Sequence, residues 1–155
     1  MAVGSNNLHS AALAMPTDGE NRAPQFFKVT ASVTFALGVV IHSTRLLMGI
    51  ESFLRNIFTP PVDVAFGLLI LFAAIAGLLS WRRYTGGRAG RIGYAFAMFM
   101  LLVSVPIHLR TLWTWSTDYL LIFPAWYSAI EVPMFFALSY MVTQLKFDDA
   151  SGSRR

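Results

Sequence analysis

The chain has 155 residues, no cysteine and a net charge of +4. Hydrophobic residues make up 55% and charged residues only 13%, against about 25% charged in ordinary soluble domains. This excludes disulfides, thiolate metal sites and cysteine nucleophiles, and it points to a single membrane-embedded domain.

Residues 1–25 are polar and mixed, with Pro16, Gly19 and Pro24. They lack the basic start and apolar core of a cleaved signal, so the expectation is a polar tail followed by an uncleaved insertion helix. A spanning helix needs about 20 mainly apolar residues, and four stretches qualify. The first runs from Phe26 to Met48. A linker, Glu51 to Thr59, leads to Pro60-Pro61, and proline fits a first helical turn without losing a hydrogen bond. The second helix runs from Pro61 to Trp81, and the glycine-broken basic loop Arg82 to Arg91 follows. The third runs from Ile92 to Trp113, and the fourth, after a loop at Trp115 to Asp118, from Tyr119 to Leu145. Residues 146–155 form a second polar tail.

The expected fold is therefore an all-α, four-transmembrane-helix bundle over residues 26–145. Four arginines in the second loop place that loop in the cytoplasm by the positive-inside rule, which puts both termini there and the protein in the plasma (inner) membrane. The basic residues act as a topology signal rather than an aromatic-interleaved patch, so nucleic acid is not an expected partner. The expected partners are the bilayer, other membrane subunits or a second copy of the chain.

One phrase occurs twice. Val39-Val40-Ile41-His42-Ser43-Thr44-Arg45-Leu46-Leu47 recurs 66 residues on as Val105-Pro106-Ile107-His108-Leu109-Arg110-Thr111-Leu112-Trp113. Each copy puts a histidine and an arginine near the end of an apolar run. Charged groups near mid-bilayer cost roughly 2.5–3.5 kcal/mol and usually face a bundle interior or a cavity. The repetition suggests two parallel helix-hairpin repeats about an axis along the membrane normal. It also sets His42 and His108 at one depth.

On the first helix Thr34, Gly38, His42 and Arg45 share one face, and Gly38 leaves room for something flat or for another backbone. On the third, Ala97, Leu101, Ser104, His108 and Thr111 form the matching stripe, with a kink expected at Pro106. Arg110 lies about 200° around from His108. Glu131, mid-way along the fourth helix, requires a proton, a cation or water, and Arg45 or a histidine is the natural partner. Asp63 at the start of the second helix reads equally as a dipole cap or a site residue. The bland alternatives are snorkelling arginines and histidines that merely bond a neighbouring helix.

Three functions follow as expectations. In the first, His42 and His108 ligate the iron of a b-type haem, Gly38 admits the porphyrin, Arg45 or Arg110 pairs with its propionates, and electrons pass to or from a quinone. In the second, Glu131 and the histidines act as acid and base on a lipid or isoprenoid. The third is an accessory or transport subunit, with Gly67, Ala73, Ala74 and Gly77 as a flat docking face. In helix count, loop lengths and its basic second loop the chain resembles the DoxX-like group of small four-helix bacterial membrane proteins. In general shape it also resembles four-helix cytochrome b anchors.

Overall fold

A computed structural model describes residues 18–148, so the expected tails at 1–17 and 149–155 lie outside the described residues. The described chain is helical: α1 (Asp18–Met48), α2 (Ile50–Asn56), α3 (Pro60–Ser80), α4 (Arg88–Leu109), α5 (Thr111–Thr114) and α6 (Ala125–Thr143). Single 3-10 turns occupy Trp81–Arg83 and Asp118–Ile122. Three helical segments are long and apolar enough to cross a membrane: Arg22–Met48, Pro60–Arg83 and Arg88–Thr114.

Several expected boundaries move. The first helix starts at Asp18, eight residues before the apolar run, and carries Pro24 inside it. The linker at 51–59 contains α2, entered through Gly49, whose φ of 77° is a left-handed conformation that an L side chain rarely adopts. The fourth expected span shortens to α6, because residues 118–122 form their own turn and Pro124 caps the new helix. The polar and aromatic residues of α6, Trp126, Tyr127, Ser128, Glu131 and Tyr140 among them, set it apart from the three strongly apolar segments. α4 continues through Pro106 to Leu109 before the chain turns into α5.

The long helices run up and down. α1 packs against both α6 and α3, α3 packs against α4, and α4 meets α6 only sparsely. The buried stripes explain this arrangement. On α6, Ser128, Glu131, Phe135, Leu138 and Val142 recur at three- and four-residue spacing, which is one helix face. On α1, Phe27, Ala31, Thr34 and Gly38 do the same. Small residues let backbones approach: Gly67, Ala73, Ala74 and Gly77 of α3 are all buried. That face is occupied inside the molecule, so it is not the open docking face expected for an accessory subunit. Ser32 and Ser139 lock α1 to α6 reciprocally, each hydroxyl donating to the other's carbonyl at 2.9 and 3.0 Å.

The ends of the bundle differ. At the arginine-loop end, Phe27, Tyr84, Tyr94 and Phe147 form an aromatic cluster. Residues 146–148, expected to be part of a loose tail, are instead tied to that loop. Tyr84 and Phe147 form an antiparallel bridge, Thr85 N–H donates to the Lys146 carbonyl and Asp148 N–H to that of Arg83. The paired backbone groups explain the order. At the opposite end, α2 folds back to bury Phe53 and Leu54 with Phe58, and the site lies beneath it. The outward faces are apolar, with Leu47, Leu79, Ile92 and Phe136 all well exposed. Belts of this kind mark surfaces that meet lipid or protein.

Candidate functional site

Each repeated histidine is held by a carboxylate. His42 on α1 directs Nδ1 at Ser128 Oγ on α6, 3.0 Å away. Glu131 Oε2 approaches the same nitrogen to 2.8 Å. That approach lies off the hydrogen-bond direction, and Oε2 has no hydrogen-bond partner. Arg45, one turn above His42, donates from Nη1 to Ser128 Oγ at 2.7 Å and from Nη2 to the Phe123 carbonyl. Its Nε is also without a partner. A hydroxyl oxygen has two lone pairs, so Ser128 can accept from both side chains and hold them beside Glu131. Glu131 and Arg45 are 5% and 7% exposed, too buried for either to snorkel to a surface.

The second pair sits across the bundle. His108 Nδ1 on α4 lies 2.5 Å from Asp63 Oδ1 on α3. The other oxygen, Oδ2, accepts from Thr111 Oγ1 and from Tyr119 Oη, the latter at 2.6 Å. Asp63 is completely buried, and three side-chain donors offset its desolvation. The first-turn position favours a carboxylate through the helix dipole, but the side chain serves His108. The dipole-cap reading is therefore incomplete. Burial, and next the hydrogen bond to Asp63, hold the Tyr119 phenol above its ordinary range, so it stays a donor.

The two pairs mirror each other. The histidine of the first long helix faces the carboxylate of the fourth at 2.8 Å, and the histidine of the third bonds that of the second. Asp63 follows His42 by 21 residues and Glu131 follows His108 by 23. A two-fold exchange of helix hairpins would superpose one pair on the other, which adds a carboxylate to the repeated phrase. Contact within the hairpins is less symmetric, since α1 packs on α3 far more than α4 packs on α6.

Both histidines line one cavity, together with Thr34, Gly38, Arg45, Ser104, Tyr127 and Glu131. Its remaining wall is apolar and aromatic, including Phe35, Phe53, Phe58, Phe66 and Phe135. The cavity gives about 70 Å³ to the centres of water molecules, within about 760 Å³ of atom-free space that includes its mouth. About 10–15 Å³ of such space holds one water, so the site takes several waters or one compact ring. Arg110 is not among the lining residues. It is exposed, and its guanidinium lies 5.4 Å from the centre of the Tyr119 ring.

These contacts test the haem expectation. Imidazoles held at Nδ1 by carboxylates keep Nε2 as the remaining ligand atom, as axial ligation requires. The space beside Gly38, however, holds the Phe135 ring, and a Cβ built there would lie 2.7 Å from Phe135 Cδ2. Arg45 is engaged by Ser128 and Phe123, and Arg110 lies outside the cavity. The residues do not fit a porphyrin with its propionates. Among the described residues no three His, Cys, Asp or Glu side chains gather as metal ligands.

Thr111 stands on the stripe expected for His108, whereas Ser128 and Tyr119 are site residues that the sequence reading did not name. Ser128 carried a signal, since it precedes Glu131 by three residues and so shares its helix face. Tyr119 carried none. No known protein family matches the chain, and no curated protein or solved structure is significantly similar to it.

Proposed function

We propose that the protein is an integral membrane protein whose cavity binds a compact, ring-shaped amphipathic molecule of the quinone class and exchanges protons with it. The observation that carries this reading is that both histidines, each paired with a buried carboxylate, line one cavity with aromatic walls. A quinone ring suits aromatic walls, and its two opposed oxygens suit two imidazoles. A histidine backed by a carboxylate is a common proton-transfer unit. Electron transfer would require a redox partner, which fits a subunit of a larger membrane complex or a homo-oligomer.

In this reading α6 is the fourth span: its outward residues Ile130, Phe136 and Tyr140 are exposed and its polar residues turn inward. The arginine loop and both termini lie in the cytoplasm of the inner membrane. The site then lies in the outer half, where a bilayer-dissolved ligand can enter.

The test is titration of the detergent-solubilised protein with duroquinone, read by tryptophan fluorescence. Binding that weakens at least about tenfold, or about 1.4 kcal/mol, in both His42→Ala and His108→Ala supports the reading. Binding of neither duroquinone nor its quinol, or affinity unchanged in both variants, overturns it. A second reading, acid–base catalysis on a lipid or isoprenoid, draws on the buried Glu131 oxygen beside His42. Turnover of an isoprenoid alcohol that is lost in Glu131→Gln would favour it.

A further inference from the structure

From the Arg45–Glu131 end of the cavity we infer a hydroxyl subsite, so that the ligand is held in its reduced, quinol form. The inference rests on the quinone-class reading of the cavity and specifies which redox form it takes. Buried polar groups are almost always hydrogen-bonded, and each exception calls for an explanation. Leaving one unsatisfied costs about 1–3 kcal/mol, more when it is charged. Among the described residues two such atoms stand at one end of one cavity, Arg45 Nε and Glu131 Oε2. Both residues are more than nine-tenths buried and both line the cavity.

The two orphans are opposite in kind. Arg45 Nε–H can only donate, and an ionised Glu131 oxygen can only accept. The bond from Arg45 to Ser128, one turn from Glu131 on α6, keeps the two groups at the same end. The group that completes both must accept one hydrogen bond and donate another. A hydroxyl does this. A carbonyl oxygen can answer Arg45 but leaves Glu131 Oε2 bare, and an ether fails in the same way. Around the polar end stand Phe35, Phe123, Tyr127 and Phe135, so the carbon skeleton beyond the hydroxyl is best an aromatic ring. A phenolic or quinol hydroxyl combines the two requirements.

At the other end no orphan remains. His108, Thr111 and Tyr119 already fill Asp63, so discrimination between redox forms falls to Glu131 and Arg45 rather than Asp63. Sites built to bond a hydroxyl reject analogues without it strongly, because their own buried groups are left unpaired.

The experiment compares three probes built on the same tetramethyl ring, with the full-length protein in detergent under anaerobic conditions: duroquinol, duroquinone of nearly equal size, and the bulkier dimethyl ether of duroquinol. The expected result is duroquinol binding at least about tenfold tighter than the other two. Glu131→Gln, which can place a donor where the acceptor was, should reduce that preference to about threefold or less while duroquinone still binds. Arg45→Lys keeps the charge and removes Nε, and gives an independent readout should the glutamine variant fail to fold. Equal binding of all three probes would show that water fills the subsite and would overturn this inference alone. Failure of all three to bind would overturn the quinone-class reading as well.

Discussion

Glu131 Oε2 stands 2.8 Å from Nδ1 of His42, at the place where α6 crosses α1. Ser128, one turn earlier, bridges His42 to Arg45, so one carboxylate and one hydroxyl organise an imidazole and a guanidinium inside an apolar bundle.

That dependence predicts strong coupling. Removing one partner of a buried ion pair leaves an uncompensated charge and costs about 3–5 kcal/mol. Glu131→Ala should therefore lower stability by about 3 kcal/mol in reversible SDS denaturation. The double variant Glu131→Ala/Arg45→Ala should be less damaging than the sum of the singles, with a coupling of about 1 kcal/mol or more. Additive losses would mean that the two charges act separately.

Asp63 invites a graded comparison. Tyr119→Phe removes one of its three donors and should cost about 1.5–3 kcal/mol, the range for a hydrogen bond to a charged group. Asp63→Asn leaves His108, Thr111 and Tyr119 competing for a neutral side chain and should cost more, about 3 kcal/mol or above. The order of the two losses, measured in the same denaturation assay, is the check.

The Tyr119 phenol supplies a pH dependence. Burial and its bond to Asp63 raise its folded-state value above the unfolded one, so the neutral form is the one the fold favours. Its contribution is complete below about pH 10, the ordinary tyrosine value, and is lost as pH rises through the raised folded value. An ultraviolet absorbance titration, taken as the difference between wild type and Tyr119→Phe, should show this phenol ionising above the ordinary value. Ionisation at or below it would contradict the buried bond.

Gly38 gives a packing test. The ring of Phe135 fills the space where a side chain would go, and overpacking of this kind costs about 1–3 kcal/mol. Gly38→Ala should be destabilising alone and partly rescued by Phe135→Leu. A Gly38→Ala protein as stable as wild type would mean that the ring yields freely.

Much of this arrangement was legible in the residues. A histidine expected at one depth in each of two apolar runs, with an arginine on its face in the first, marked the cavity because polar groups are costly there. The same argument gave Glu131 either Arg45 or a histidine as its partner. What escaped has physical reasons. Asp63 lies at a helix start, where the dipole alone explains a carboxylate. Tyr119 reaches it from an irregular turn with no period to read. Gly38 looked open to a ligand because sequence spacing does not reveal that Phe135, on another helix, fills the gap. Arg110 shares the repeated phrase with Arg45, but its different offset from the histidine turns it outward over Tyr119.

The most direct test of the account is nitrogen NMR of the protein labelled with ¹⁵N-histidine, in lipid nanodiscs, with and without duroquinol. The account predicts that Nδ1 of His42 and of His108 carries the proton, and that Nε2 of both moves with the same dependence on ligand concentration. Proton placement on Nε2 alone, or a ligand response confined to one of the two histidines, would contradict the claim that the paired imidazoles share a single site.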